Sequence, residues 1–182
     1  MQTTGEITAN FQGCAFDCMP GTYGAFPNLT APDQCTACPL GHYCGRGASK
    51  PSPCPVGYRM PAVGATSVDS CIPCSPGSHQ PHEGRADCVA CDAGKFSTEI
   101  GASNCDACPK GGYCPDAGAA SVLVFRECSA GTYNPHMGNQ SSASCLACPP
   151  GKANPIPGSS ESSTCKPCLP GSHTPDEGTD SC

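Results

Sequence analysis

Nineteen cysteines stand in a chain of 182 residues, and their spacing limits the chemistry they can do. Six Cys-x-x-Cys pairs recur: Cys35/Cys38, Cys71/Cys74, Cys88/Cys91, Cys105/Cys108, Cys145/Cys148 and Cys165/Cys168. Such pairs serve zinc ligation, thiol redox catalysis or disulfide cross-linking. Cys71, Cys74, Cys88 and Cys91 mimic the two-knuckle spacing of a zinc ribbon. The series continues without a break, however, so the pairs do not divide into closed four-ligand sites. A redox Cys-x-x-Cys needs a helix start that depresses a thiol pKa, and the Gly and Pro around these pairs deny that helix. Cross-linking is the expectation, with no metal and no cofactor.

The other candidate groups do not assemble into a site. His79 and His173 fall in slots that carry tyrosine or phenylalanine elsewhere in the chain, so they are expected as packing groups. His42 stands beside such a slot, and His82 and His136 sit in polar turns. None has a nucleophile or carboxylate at a triad spacing, and no catalytic residue is assigned. Asp176, Glu177 and Asp180 crowd a glycine turn without the ligand pattern of an EF-hand loop, and are read as solvated. Two sequons, at Asn28 and Asn139, are expected to carry N-glycans.

Composition says what must position the cysteines. Aromatic residues are 5% of the chain and tryptophan is absent, whereas glycine numbers 22 and proline 21. That is too little large apolar side chain for one core, and cysteine at about a tenth of the residues marks a disulfide scaffold. Net charge is −6, and the nine basic residues form no patch, so nucleic acid is not an expected partner. No apolar run reaches the roughly 20 residues of a membrane span. Residues 1–13 lack the basic and apolar regions of a secretory signal. The chain therefore reads as part of a longer secreted protein, ending on a repeat boundary at Cys182.

Internal repetition supplies the register. Taking the second cysteine of each pair, with Cys18, Cys54 and Cys128, gives nine starts. Glycine stands three residues after every start, from Gly21 to Gly171, and ten residues after seven of them. The first repeat has Asn28 at that second place, and the second departs with Ala48 just after Gly47. These positions mark turns needing positive φ. Between them a short extended stretch carries a ring at Tyr23, Tyr43, Phe96, Tyr113 or Tyr133, expected to lie over a disulfide.

The expected domains follow: 1–17 as the end of a preceding module, then repeats at 18–37, 38–53, 54–73, 74–90, 91–107, 108–127, 128–147, 148–167 and 168–182, with 38–53 and 108–127 irregular. Cys18 to Cys35, Cys54 to Cys71, Cys128 to Cys145 and Cys148 to Cys165 are each 17 positions apart, whereas Cys74 to Cys88, Cys91 to Cys105 and Cys168 to Cys182 are 14. Those seven pairs make a ladder of bridges. In the irregular repeats the simplest completion is Cys38–Cys44 and Cys108–Cys114, with Cys38–Cys54 and Cys44–Cys71 left open as an alternative. Cys14 is then unpaired, its partner expected upstream. The one concentrated apolar run, residues 121–126, is read as a closing strand, or else as a docking edge for another chain.

The run Cys-x-x-Cys-Pro-x-Gly-x-Tyr from Cys35 to Tyr43 resembles ephrin-receptor-like cysteine-rich repeats, and the single-bridge module of tumour-necrosis-factor-receptor ectodomains. The resemblance extends over residues 14–182. Long tandem arrays of this kind are similar to protist surface proteins, including flagellar-hair (mastigoneme) shaft proteins. It implies small disulfide-rich repeats in an elongated, gently bent rod of short β-hairpins and turns with almost no helix, each repeat touching mainly its neighbours. It also implies an extracellular, non-catalytic role at a cell or flagellar surface. The expected partners are other protein chains, either copies of itself or a filament partner. A ligand-binding or stalk region of a receptor is the alternative.

Overall fold

The computed structural model describes residues 16–182; Cys14 lies outside them. Residues within one repeat meet through the same local events each time. All nine glycines three residues after a start have positive φ, as Gly94 at 82° and Gly151 at 77° illustrate. A Cβ there is strained, so only glycine turns the chain cheaply. Among the described residues Asn28 is the one non-glycine at positive φ, at 61°, and in the following repeat Gly47 takes the turn at 66°. Asparagine tolerates this region because its short polar side chain bonds locally.

After the first turn come two residues of strand, paired antiparallel to the two residues inside the next Cys-x-x-Cys. Thr22–Tyr23 pairs with Thr36–Ala37, and Thr132–Tyr133 with Leu146–Ala147. In the irregular repeats the same stub pairs with the two residues ahead of the next start, as His42–Tyr43 does with Ser52–Pro53. Among the described residues eight two-stranded sheets result, and none has a third strand. An isolated pair of such stubs is not stable in water. Something else must hold each one shut.

Nine disulfides do so: Cys18–Cys35, Cys38–Cys44, Cys54–Cys71, Cys74–Cys88, Cys91–Cys105, Cys108–Cys114, Cys128–Cys145, Cys148–Cys165 and Cys168–Cys182. Loop closure over 14 or 17 positions restricts the unfolded chain by about 3 kcal/mol, and over six positions by about 2 kcal/mol. The sulfurs are also the interior. The buried apolar set is mostly cysteine, with Leu29, Met60, Ala102, Ala119 and Ala153 the other members. This is a small disulfide-rich repeat fold.

The two bridge spacings have a structural cause. Each repeat with the longer spacing spends its three added residues on a one-turn 3-10 helix just ahead of the closing cysteine: Pro32–Gln34, Val68–Ser70, Ser142–Ser144 and Ser162–Thr164. The apolar run at 121–126, expected as a strand, also contains such a turn at Val122–Val124, started by Leu123 N–H donating to Ser121 Oγ at 3.2 Å. Strand follows only at Arg126–Glu127, paired with Gly112–Tyr113. Phe125 stands three residues before Cys128, where regular repeats place the closing cysteine. Its ring packs so close to Gly112 that a Cβ there would lie 2.5 Å from Phe125 Cε2. An apolar contact and the short Cys108–Cys114 bridge thus replace one closing disulfide.

The residues group into two compact units. Of the described residues, one comprises 16–55, Arg59–Ile72 and Glu83–Asp87; the other comprises Val56–Tyr58, Pro73–His82 and Cys88–Cys182. The first contains the bridges Cys18–Cys35, Cys38–Cys44 and Cys54–Cys71, and the second the other six.

Candidate functional site

What recurs along the described residues is a backbone seam between one repeat and the next. In the first unit Cys38 N–H donates to Gly21 O at 2.9 Å and Gly21 N–H to Cys44 O at 2.8 Å. Cys44 N–H donates to Ala65 O at 2.9 Å, and Gly64 N–H to Cys38 O at 2.8 Å. The second unit repeats the set: Cys108 to Gly94 O at 2.8 Å, Gly94 to Cys114 O at 2.8 Å, Cys114 to Asn139 O at 2.9 Å and Gly138 to Cys108 O at 2.8 Å. Every donor and acceptor is main chain, so the seam tolerates any sequence that keeps the glycines.

The seam also brings second neighbours together, which corrects the expectation that each repeat touches mainly the adjacent ones. A Cβ on Gly94 would lie 2.2 Å from Gly138 O, and one on Gly21 2.5 Å from Gly64 O. Real Cβ atoms do not approach a carbonyl so closely. In such repeats the first-turn glycine is therefore needed twice, for its φ and for the approach of the repeat after next, whereas Gly151 and Gly171 in the last two repeats are needed for φ alone.

Six residues after each start lies a position the sequence did not mark. Met60, Gln80, Ser97, Asn134, Asn154 and Thr174 occupy it, all buried; in the irregular repeats it holds Cys44 and Cys114, and in the first repeat the half-buried Gly24. Asn134 and Asn154 are wholly enclosed. Asn134 Nδ2 donates to Gly112 O at 2.8 Å, and its Oδ1 accepts from His136 N–H at 3.1 Å and Asn139 Nδ2 at 2.9 Å. Asn154 Nδ2 donates to Thr132 O at 2.9 Å and Ser159 Oγ at 3.0 Å, while its Oδ1 accepts from Ile156 N–H at 3.1 Å. Each amide thus ties its own second turn to the strand of the preceding repeat. Among the described residues no buried side-chain nitrogen or oxygen lacks a partner.

The two sequons differ in setting. Asn28 is exposed at its left-handed turn. Asn139 is half-buried, and its Nδ2 donates both to Asn134 Oδ1 and to His136 O, the latter at 3.0 Å. Asn139 was read from sequence only as a glycan acceptor; its structural bonds had no signature there.

The histidines are scattered. His42 Nδ1 meets Leu40 O at 2.9 Å, and His82, His136 and His173 are exposed. His79 lies against the disulfide of the next repeat, with Nδ1 3.1 Å from Cys105 Sγ. Cys71, Cys74, Cys88 and Cys91, the zinc-like quartet, are spent in three separate bridges, to Cys54, to each other and to Cys105. Asp176, Glu177 and Asp180 are exposed. Large apolar side chains also face solvent, among them Ile100, Leu123 and Met137. A shallow cleft lined by Tyr113, Glu127, Ser129, Thr132 and Ser142 is mostly polar.

The geometry is one of repeated bridges and seams, and the family comparison points the same way. The family described as tyrosine-protein kinase ephrin type A/B receptor-like matches residues 68–104 and, overlapping them, 82–123. Residues 68–123 are thus similar to ephrin-receptor-like cysteine-rich repeats. Those matched residues hold the pairs Cys71/Cys74, Cys88/Cys91 and Cys105/Cys108 with their glycines. No curated protein matches the chain. A cysteine-rich module closed by nine disulfides suits an oxidising, extracellular setting. Among the described residues no helix is long and apolar enough to cross a membrane.

Proposed function

We propose that the chain is a non-catalytic structural segment of an extracellular glycoprotein, a stiff spacer in a cell-surface or flagellar filament assembly. Its nine repeats begin at Cys18, Cys38, Cys54, Cys74, Cys91, Cys108, Cys128, Cys148 and Cys168. The observation that carries this reading is the uniform seam. Each joint uses the same main-chain bonds, so repeats add without a specialised contact, as in other linear arrays. Frequent disulfides and close glycine–carbonyl approaches leave little room for bending at a joint. The partners are other chains, copies of itself or a filament subunit, and an N-glycan projects from the exposed turn at Asn28.

A second reading, the ligand-binding or stalk region of a receptor, draws its support from the receptor-like family match. Cross-linking of intact cells followed by mass spectrometry of this chain separates the two. The structural reading expects cross-links at a fixed register to further copies or to one filament subunit, in stoichiometric amount. Cross-links only to a substoichiometric soluble ligand would support the receptor reading and overturn the first.

A further inference from the structure

Cys91–Cys105 differs from the other bridges by its neighbour. His79, Cys91 and Cys105 bring an imidazole nitrogen and two sulfurs within 4.8 Å of one another, the one such His–Cys cluster among the described residues. His79 Nδ1 is 3.1 Å from Cys105 Sγ, and the ring is half-buried in the slot that holds tyrosine or phenylalanine elsewhere. Cys105 is half-buried, whereas Cys91 is fully enclosed, so an external thiolate meets Cys105 first. We propose that Cys91–Cys105 is the redox-addressable bridge of this chain, opened by a dithiol reductant in preference to the other eight, with His79 holding the thiolate released at Cys105.

The steps balance. A dithiol's first thiolate attacks Cys105 Sγ, forming a mixed disulfide and expelling Cys91 Sγ, which takes up a proton. The second thiol, as thiolate, attacks the reductant's own sulfur in that mixed disulfide and expels Cys105 Sγ. The reductant leaves as a cyclic disulfide, oxidised by two electrons, and the protein bridge is reduced by two. Of the dithiol's two protons, one ends on Cys91 and the other on the imidazole, which faces the Cys105 thiolate. A charge-assisted N–H···S bond then stabilises the reduced state whichever sulfur is attacked first. One such bond shifts the reduction equilibrium by about tenfold.

Opening this bridge frees the loop whose Gly101 N–H donates to Cys74 O at 2.8 Å and whose Ala102 O accepts from Gln80 N–H at 3.0 Å. The effect is local: one seam loosens while its flanking bridges stay closed. The reactive site therefore accepts a thiol-bearing partner or small dithiol, and converts exchange into slack at one joint.

The test is graded reduction of the whole oxidised chain by dithiothreitol at one fixed pH. Newly freed thiols are alkylated at each step and mapped by peptide mass spectrometry. Cys91 and Cys105 are expected to label first, at about a tenth of the reductant needed for Cys128 and Cys145. His79→Phe keeps a ring in a slot that already holds Phe96 in the next repeat, so the fold is retained. It should remove the preference while leaving the order of the other bridges unchanged. Earlier labelling of any other pair, or an unchanged preference in His79→Phe, would overturn the assignment.

Discussion

Two substitutions in the same slot separate backbone strain from stacking. Gly94 and Gly151 each stand three residues after a start, with φ of 82° and 77°. Alanine at either carries about 1–2 kcal/mol of left-handed strain. At Gly151 the new methyl meets nothing within 4 Å. At Gly94 it would lie 2.2 Å from Gly138 O and 3.0 Å from Gln140 Cγ, so the two repeats must separate by about 1 Å to reach an ordinary van der Waals contact. Overpacking of that kind costs about 1–3 kcal/mol. Weakening the bonds from Gly94 N–H and Gly138 N–H adds about 0.5–1.5 kcal/mol each. Gly94→Ala should therefore lose about 2–6 kcal/mol beyond Gly151→Ala. Because repeat arrays open locally, amide hydrogen exchange on the oxidised chain is the assay. Cys108 and Gly138 amides should exchange at least about 30-fold faster in Gly94→Ala than Cys168 and Gly178 amides do in Gly151→Ala, taking 1.4 kcal/mol per tenfold. Equal acceleration in the two variants would show that second neighbours do not press on one another, and the seam as described would be wrong.

Further outcomes follow from individual side chains. Asn134→Ala removes a wholly buried amide and strands Gly112 O, so the seam around it should lose about 1–3 kcal/mol, read as faster exchange at His136 and Asn139 with no change near Asn28. A glycan leaves Asn139 Nδ2 with a single N–H where two bonds are now made, whereas Asn28 is exposed; glycopeptide mass spectrometry of the secreted chain should find Asn28 occupied and Asn139 largely bare. Full occupancy at Asn139 would mean those bonds are dispensable.

The parts of the fold legible in sequence are those fixed by one residue type at one spacing. The glycine at each first turn is readable because no other residue takes that φ cheaply; at the second turn Asn28 takes it in the first repeat, and Ala48 in the next is explained by Gly47 shifting the turn by a residue. The position six after each start was not readable. Met60, Gln80, Asn134 and Thr174 share no single chemistry, because the bonds that recur there are main chain and side-chain bonds such as those of Asn134 are added only in some repeats. Second-neighbour stacking was hidden for the same reason, since a carbonyl oxygen such as Gly138 O leaves no mark on composition. The apolar run ending at Phe125 looked like a strand or an edge; in fact its ring fills a place that sulfur occupies in regular repeats. His79 was legible as a ring-slot residue from its register, but not which disulfide it would meet, the next repeat's Cys91–Cys105.

The claim on which the rest depends is that disulfides, with a main-chain seam built on them, replace an apolar interior. Hydrogen exchange of the chain before and after complete reduction and alkylation, in the presence of a chelator, tests it most directly. Protection at the seam amides of Cys38, Gly64, Cys108 and Gly138 should fall to that of an unstructured chain once the bridges are cut. Persistence of that protection in the fully reduced, alkylated chain would contradict the account.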